Sequence, residues 1–313
     1  MSPHDPGPRI VRCAADWSSV SLPLVLFLAG RFTYRGVDEW RERILSGEIT
    51  VNGAKVSPEY PLAMHDVIEY RPEDIVEPEA DLEYGVVYED EALLIVDKPG
   101  NLCVHPSGPF FKHTLWYLLT AKYGEVHLLS RLDRETSGLL AVAKEKSVAR
   151  RMSRSRAVKE YLAVVHGTFD RETTAAGWLV ADTASAIRKK RRFVAELPAG
   201  AIRPESAVTR LVPERIGREF SLVRAFPETG RMHQIRATLL SLGFPVAGDK
   251  LYGPDELCYL KLRRGELTDA DRARLRISRQ ALHSARLTLP HPLSGEELRF
   301  GSPLPEELVS LLS

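Results

Sequence analysis

The chain has 313 residues, enough for one large domain or two, and its 44% hydrophobic and 27% charged residues are typical of a globular protein. A net charge of +1 gives no hint of nucleic acid, and the longest apolar stretch, LPLVLFLAG, is far shorter than the roughly 20 residues that span a bilayer. Its cysteines, Cys13, Cys103 and Cys258, are widely spaced, which excludes a disulfide framework and a cysteine-rich zinc site and favours a reducing cytoplasm.

The first elements along the chain predict a loose tail followed by a small module. Residues 1–18 contain three prolines and little apolar pattern, which favours the tail. Within residues 19–71, LPLVLFLAG predicts a helix that ends at Gly30, and VDEWRERILSG predicts a second helix that ends at Gly47. The apolar face of the second helix is expected to consist of Trp40, Ile44 and Leu45.

The rest of this module predicts strands. EITVNGAKV alternates apolar residues around an Asn52-Gly53 turn and so predicts a hairpin, and HDVIEY predicts one more strand. The whole resembles the S-four-like RNA-binding module, which has two helices, a glycine, an xVxVNG hairpin and a final xGDxI strand. The matching residues are Gly47, Val51, Asn52, Gly53, Asp66 and Ile68. His65 stands where that family usually has glycine, and a small α+β unit of another kind is the alternative.

A second, larger domain is predicted after an acidic, proline-bearing linker at residues 72–81. Residues 82–313 are rich in strand patterns: YGVVYED, ALLIVDKP, GLLAVAK, YLAVVHG, SAVTRLV, FSLVRAF and ARLTLPHP. Helices are expected in HTLWYLLTAKYG and KSVARRMSRSRA. Because strands and helices do not alternate regularly, the pattern predicts an α+β fold with a central mixed or antiparallel sheet flanked by helices.

Two basic runs could form a local basic face for nucleic acid on this nearly neutral chain. One places seven lysines and arginines between residues 144 and 159, and the other is RKKRR at residues 188–192. The alternative for these runs is a solvated helix face and a mobile loop.

Five segments carry unusual combinations of polar residues and glycine. In chain order they are DKPGNLCVHPSG, HLLSRLDRETSGLLAVAK, KEYLAVVHG, ETGRMHQIRATLLSLGFPVAGDKLYG and ALHSARLTLPHP. The fourth predicts a helix with Ile235, Leu239 and Leu242 on one face, ending at Gly243. On this helix Arg236 points away from the apolar face and is free for a polar partner.

Together, the five segments resemble the RluA-like pseudouridine synthases in motif and in order, over roughly residues 82–300. Ser130 and Thr238 depart from that pattern, since each replaces a histidine. The resemblance implies a monomeric enzyme that needs no cofactor and no metal, and whose partner is RNA. Its reaction cuts the N1–C1′ bond of a uridine, rotates the uracil and rejoins it through C5, after the base has been unstacked.

The resemblance also implies roles for single residues. Asp133 is the catalytic carboxylate, as nucleophile or as base, and Arg236 is the partner that keeps it charged. Tyr161 offers a ring on which uracil can stack. Arg131 would share a face with Asp133 on an extended strand, where it could fill the gap left by the flipped base or contact phosphate. Further RNA contacts are expected from His105, Arg231, His233 and Lys159.

Two other functions stay open on the sequence. One is an RNA-binding protein of the same fold that modifies nothing, although the intact Asp133, Tyr161 and Arg236 argue against it. The other is a nucleoside or glycoside hydrolase, which normally needs a second carboxylate, and here only Glu135 is available. Ribosomal and transfer RNA are both possible substrates, and the modified position is not determined.

Overall fold

The computed structural model describes residues 6–32, 35–72 and 76–313, which form two compact units. The first unit ends at Pro78 and the second comprises Glu79–Ser313, so the division falls within the predicted linker. Residues 1–5 of the predicted tail and residues 73–75 of the predicted linker lie outside the described residues.

The first unit packs two helices on a three-stranded antiparallel sheet with the strand order β1-β3-β2. Its elements are β1 (Val11–Ala14), α1 (Leu24–Arg31), α2 (Val37–Ser46), β2 (Ile49–Val51) and β3 (Val67–Tyr70). The core includes Leu24, Trp40, Ile49 and Tyr70, each almost fully buried. Helix α2 ends where predicted, because Gly47 takes the left-handed conformation that terminates a helix.

Four details of this unit differ from the expectation. Residues 11–14, predicted as loose tail, form β1, since Val11 and Cys13 pack against the core. Helix α1 runs through Gly30 to Arg31, because Gly30 keeps a negative φ. Leu45 is exposed, so the apolar face of α2 is narrower than predicted. The expected return strand of the hairpin is reduced to one bridge between Val51 and Ala54.

The predicted Asn-Gly turn is present and is tied to the last strand. Asn52 and Gly53 both have positive φ (51° and 81°), as a two-residue hairpin turn requires. The Asn52 amide donates to Asp66 Oδ1 (2.7 Å) and accepts from the Val67 backbone (2.9 Å). His65 has φ 69°, which explains why glycine suits this position in the resembling family.

The second unit is built on an 11-stranded sheet. Its strands are β4 (Gly85–Glu89), β5 (Leu93–Lys98), β6 (His127–Leu128), β7 (Ser137–Ala143), β8 (Val158–His166), β9 (Thr173–Ala181), β10 (Arg191–Val194), β11 (Glu205–Ile216), β12 (Phe220–Pro227), β13 (Leu282–Pro290) and β14 (Glu297–Gly301). Its helices are α3 (Leu115–Tyr123), α4 (Lys146–Met152), α5 (Gln234–Ser241), α6 (Leu257–Arg264), α7 (Asp269–Leu275) and α8 (Glu306–Val309), with a 3-10 turn at Ser310–Leu312.

The strand order is β10-β9-β11-β12-β8-β13-β7-β5-β4, with β14 beside β13 and β6 beside β7. All the pairings are antiparallel except β7 with β13, which confirms the predicted mixed sheet. Alternate residues of β7 enter different cores. Leu140 and Val142 join one cluster, while Leu139 and Ala141 join another that includes Val148 of α4.

A glycine allows β7 to approach β13 closely. Gly138 has φ +105°, and a Cβ placed on it would lie 2.3 Å from the backbone oxygen of Ser284. No other residue fits there without moving a strand. This contact fixes the start of β7.

The second basic run is divided between a turn and a strand: Arg188 and Lys189 are exposed in the turn before β10 and Arg192 is exposed on β10, whereas its other two charges are held inside. Arg191 is buried in β10, where it donates to the carbonyls of Leu179 and Arg203 and pairs with Glu205 (2.8 Å). Lys190 pairs with Asp182 and Glu256. These two charges therefore stabilise the second unit, and the sequence could not show this because all their partners are distant along the chain or in unpredicted elements.

No helix among the described residues is both long enough and apolar enough to cross a membrane.

The two units have separate hydrophobic clusters, so we expect a protein that begins at Glu79 to fold by itself. Circular dichroism during urea unfolding should show one cooperative transition for the shortened protein. The full-length chain is the control. A gradual, non-cooperative loss of signal would show that the second unit needs the first.

Candidate active site

Asp133 lies in the loop between β6 and β7, directly before the strand fixed by Gly138. The backbone N–H of Thr136 donates to the Asp133 carbonyl (3.1 Å), which closes a turn behind the acid. The Asp133 side chain is 30% exposed, so the carboxylate can be reached from outside while most of it is enclosed.

Arg236 of α5 joins this carboxylate to a second one. Its Nη1 donates to Asp133 Oδ2 (2.6 Å), while its Nε and Nη2 donate to Asp249 Oδ2 (2.6 Å) and Oδ1 (2.8 Å). The predicted pairing of Arg236 with Asp133 is confirmed, 103 residues apart in sequence. The guanidinium uses its planar fork on Asp249 and its remaining edge on Asp133, an arrangement that lysine cannot reproduce.

Asp249 and Tyr252 complete the surroundings of Arg236, and the sequence analysis assigns neither of them a role. Asp249 is fully buried, and its Oδ1 also accepts the backbone N–H groups of Leu251 (2.9 Å) and Tyr252 (2.8 Å). The Arg236 guanidinium lies 4.9 Å from the centre of the Tyr252 ring. Their signal was the GDKLYG segment, which was noticed as a motif but given no role.

The charges of the site hold Asp133 ionised. Burial alone would raise the pKa of Asp133, but the positive charge and hydrogen bond of Arg236 outweigh it and lower that pKa to about 2. Burial also lowers the pKa of His233 to about 4, so this imidazole is neutral at pH 7 and Arg236 supplies the cation. The two carboxylates in turn raise the pKa of Arg236 above its usual value despite its burial.

Tyr161 lies on β8, directly opposite Ser284 of β13, and its ring is part of the main core cluster. It is 8% exposed, and burial raises the pKa of its hydroxyl to about 12. The charge of Asp133 contributes to this rise of the pKa, so the two side chains lie within electrostatic range of each other. Tyr161 is therefore a neutral, nearly immobile aromatic surface at neutral pH.

Lys98 fastens the loop that carries Asp133. It is fully buried at the end of β5, and its Nζ donates to three carbonyl oxygens: Pro99 (2.6 Å), Leu102 (3.0 Å) and Arg134 (3.1 Å). Burial lowers the pKa of Lys98 to about 7, while three acceptors match the three N–H groups of a protonated amine. The sequence offered no task for this residue.

Glu135 is engaged in holding the structure together. Its Oε2 accepts from Lys250 Nζ (2.8 Å) and from the Gln280 backbone N–H (3.0 Å). The side chain of Gln280 in turn donates to Thr136 Oγ1, and its interaction with Asp133 helps to lower the pKa of that carboxyl. This carboxylate positions the loop from the side of β13.

The predicted RNA contacts lie in different environments. Arg131 and His105 are exposed and close enough for the Arg131 charge to lower the pKa of His105, in addition to burial. Arg131 does not lie on a strand, because β7 begins only at Ser137, so the argument from strand alternation is wrong. Arg231 is exposed, whereas Lys159 is half-buried and burial lowers its pKa.

His233 is the predicted contact that lies closest to the acid. It precedes α5 in the left-handed conformation (φ 59°), and its side chain is 9% exposed. Its Nε2 lies 3.7 Å from Asp133 Oδ1, and its Nδ1 lies 2.9 Å from the Tyr252 hydroxyl. His233 is therefore part of the site around Asp133, with one ring nitrogen facing the Asp133 carboxylate and the other facing the Tyr252 hydroxyl.

His283 and Thr238 both lie inside the second unit. His283, fully enclosed, contacts Ser137 Oγ (2.9 Å) and the Ser302 carbonyl (3.2 Å). Thr238, which replaces a family histidine, is buried on α5, and its hydroxyl has no hydrogen-bond partner among the described residues.

The first basic run gives the exposed cations of α4 and the turn after it. Ser147, Arg150, Arg151, Arg154 and Ser155 line an open cavity of about 540 Å³. Within the described parts of the chain, Arg150 and Arg154 make no ion pair. This region therefore has the exposed cations that a basic face requires, as do Arg188, Lys189 and Arg192 of the second run.

Within residues 6–32, 35–72 and 76–313, one group could offer metal ligands: Asp255, Cys258 and Asp271, whose ligand atoms lie within 4.8 Å of one another. The Asp271 carboxylate is already shared by Lys261 (2.8 Å) and Thr268 (2.7 Å). These contacts cap α7 and pair the acid, so the group is accounted for without a metal.

Comparison with known proteins gives one consistent family. The sequence model of the family described as RNA pseudouridylate synthase matches residues 92–241. The ribosomal large subunit pseudouridine synthase D of Vibrio cholerae is 31% identical and aligns over 91% of this chain and 88% of that protein. The corresponding synthase C of Pasteurella multocida is 32% identical, over 86% and 83%. The uncharacterized RNA pseudouridine synthase YlyB of Bacillus subtilis is 31% identical, over 88% and 87%.

Solved structures agree with these relatives. The human RNA pseudouridylate synthase domain containing 1 is 25% identical, with a TM-score of 0.56 over 73% of this chain and 86% of that one. The human domain containing 4 protein is 28% identical, with a TM-score of 0.52 over 72% and 90%.

The depressed pKa of Asp133 makes a prediction about acid stability. Its folded pKa of about 2 lies below the ordinary value of 3.8, so the stabilisation is fully present above pH 4 and is lost as the pH falls towards 2. In urea unfolding measured from pH 5 to pH 2, the free energy of unfolding should fall less steeply for Asp133→Asn than for wild type. The difference should approach the effect of one proton, about 1.4 kcal/mol per pH unit. Equal slopes would contradict the assigned charge state.

Proposed function

The chain belongs to the RNA pseudouridylate synthase family and is an RNA pseudouridine synthase; on this premise we propose that its substrate is large-subunit ribosomal RNA and that Asp133 is its catalytic carboxylate. The printed names of the relatives in Vibrio cholerae and Pasteurella multocida support the substrate. A ribosomal substrate would place the enzyme in the cytoplasm. We also propose that the enzyme acts as a monomer. Transfer RNA is the alternative substrate against which ribosomal RNA should be tested.

The role of Asp133 is supported mainly by its ion pair with Arg236, which Asp249 also binds. A carboxylate that reacts at a sugar carbon must be ionised and must keep its direction when water leaves the cleft. The 2.6 Å bond from Arg236 to Oδ2 supplies the charge and the direction, and Asp249 holds Arg236 in turn. Oδ1 is the oxygen that this arginine does not occupy, and the side chain is 30% exposed.

The proposed reaction follows from this geometry. A uridine leaves its stack and enters the cleft, where its base lies against the Tyr161 ring. Asp133 either attacks C1′ or removes a ribose proton, and the N1–C1′ bond breaks with its electron pair on uracil. The base then turns and C5 bonds to C1′, as Asp133 leaves C1′ in the first case or the ribose proton returns in the second. The hydrogen on C5 is lost to a base as a proton, and N1 takes up a proton. Atoms and electrons balance without any net oxidation.

Other charged groups support RNA as the bound partner. Arg131 and His105 are exposed beside one another, near the loop of Asp133, and Arg131 is suited to phosphate or to the space left by a flipped base. The exposed arginines of α4 offer further phosphate contacts. The first unit, with its Asn-Gly turn and final strand, is proposed as an S-four-like RNA-binding module.

A hydrolase is less well supported than an isomerase. Hydrolysis of a glycosidic bond normally uses two carboxylates on either side of that bond. Glu135, the one candidate from the sequence, already accepts from Lys250 and the Gln280 backbone. Its contacts favour a role in holding the loop.

The central test is replacement of the carboxylate. Asp133→Asn keeps the shape of the side chain but removes its charge, so turnover should be lost while RNA binding stays within a few-fold. The assay is tritium release from large-subunit ribosomal RNA labelled at C5 of uridine, because forming the C5–C1′ bond must expel that hydrogen. Turnover near the wild-type rate would end the assignment of Asp133.

Variants of Arg236 control for this test. Arg236→Lys should recover only part of the rate, because an ammonium cannot contact both carboxylates in a plane. Arg236→Ala should lower the rate by orders of magnitude alone, yet should add nothing to Asp133→Ala, since both groups act as one unit. Additive losses of rate in the double variant would show that Asp133 and Arg236 act independently.

The first unit makes an independent prediction about RNA affinity. The protein that begins at Glu79 should keep its turnover at saturating RNA but bind more weakly. Its affinity should also depend less steeply on salt, because each lost phosphate contact reduces the slope of log K against log salt by about 0.7 to 0.9. Binding titrations between 50 and 200 mM salt, with the full chain as control, measure both. Unchanged affinity and slope would show that the unit does not contact RNA.

A further inference from the structure

The two ring nitrogens of His233 face a hydroxyl and a carboxylate, which differ in the hydrogen-bond partner that they require. Nδ1 lies 2.9 Å from the hydroxyl of Tyr252, and Nε2 lies 3.7 Å from Asp133 Oδ1. A neutral imidazole carries one hydrogen, which sits on one of these two nitrogens. Which nitrogen carries it decides whether the catalytic carboxylate faces a donor or a lone pair.

The hydrogen bonds of Tyr252 settle this choice. Tyr252 is fully buried, and its oxygen accepts the backbone N–H of Arg191 (2.9 Å). Its own hydrogen must go to an acceptor, because an unpaired buried hydroxyl is costly. Among the described residues, the acceptor in contact with it is His233 Nδ1. Burial raises the pKa of Tyr252, so the hydroxyl keeps its hydrogen to donate.

Nδ1 is therefore the acceptor and Nε2 carries the hydrogen. The N–H of Nε2 then belongs to the side of the ring that faces Asp133 Oδ1, the oxygen opposite the one bound by Arg236. The reverse tautomer would place a lone pair towards a carboxylate and leave the Tyr252 hydrogen without a partner. Both consequences are unfavourable, and they reinforce each other.

Backbone conformation also ties this ring to its place. His233 has φ 59° and ψ 18°, a left-handed conformation that is uncommon for a residue other than glycine, asparagine or aspartate. Such a conformation persists where surrounding contacts enforce it, and it is frequent at functional sites. Here it directs the ring into the space between Tyr252 and Asp133.

We infer that His233 is a positioning residue for the catalytic carboxylate: a neutral Nε2–H donor, with its tautomer fixed by Tyr252, that binds Asp133 Oδ1 when uridine displaces water from the cleft. A movement from 3.7 Å to hydrogen-bond distance is all that this requires. The inference rests on the proposed function in one respect, the role of Asp133. It extends the chain of contacts to Arg191 N–H, Tyr252, His233 and Asp133.

Nuclear magnetic resonance of the full chain with ¹⁵N-labelled histidine tests the tautomer without any activity. The His233 signals are identified by their absence in His233→Gln. At pH 7, wild type should show a hydrogen on Nε2 and none on Nδ1, and Tyr252→Phe should show a mixture of both tautomers. A hydrogen on Nδ1 in wild type, or on both nitrogens, would overturn the inference.

Two amides of different length test the donor in catalysis. The amide nitrogen of glutamine can reach the place of Nε2, whereas that of asparagine reaches only the place of Nδ1. Losing one aimed donor typically lowers kcat by about 100- to 1,000-fold, so His233→Asn should lose about that much with KM unchanged, and His233→Gln should stay within about tenfold of wild type. Equal rates for the two variants would contradict a directed donor.

Differences in stability should not affect the comparison between His233→Asn and His233→Gln. Asparagine adopts the left-handed conformation more readily than histidine, so His233→Asn should keep the melting temperature of wild type. His127→Asn, on the short strand β6, is a control that should leave kcat unchanged. An inactive wild type on ribosomal RNA would refute the proposed substrate, while the tautomer measurement would still decide the role of His233.

Discussion

The buried guanidinium of Arg236 is the interaction on which the rest of this site depends. One cation deep in the protein is costly unless carboxylates surround it, and Asp249 accepts two hydrogen bonds from Arg236 while Asp133 accepts a third. Asp249 is fully buried and further held by two backbone N–H groups, so it is the fixed partner. Asp133 is the partly exposed one, and it takes from this arrangement both its negative charge and its orientation.

Much of the second unit serves to keep the loop of Asp133 in place. Lys98 holds it through the carbonyl of Arg134, Glu135 fastens it to Lys250 and Gln280, and Gly138 lets β7 lie close against β13. Lys98 and Gly138 lie on strands that neighbour one another in the sheet, and Gly138 lies in the parallel pair of β7 and β13. A catalytic group on a loop gains precision in this way, because the loop itself has few conformations left.

The sequence reasoning found the acid, its arginine and the aromatic ring, and it missed the groups that hold them. Asp133, Arg236 and Tyr161 stood out because their segments match a family in order. The phase of α5 also freed Arg236 from the apolar face, which is a local property. Asp249, Tyr252 and Gln280 were missed because a buried aspartate or glutamine looks the same in sequence as an exposed one. Only their partners give them a function.

The sequence by itself determined the local conformations: the left-handed Gly47 after α2, the Asn52-Gly53 turn and the helical phase of α5. Each depends on steric limits and periodicity within a few residues. Tertiary structure alone decided that Arg236 meets carboxylates 103 and 13 residues away, that Arg191 is buried, and that Tyr252 sets the hydrogen of His233. The physical reason is that charge and hydrogen-bond partners are chosen by distance in space, and distance along the chain carries almost no information about it.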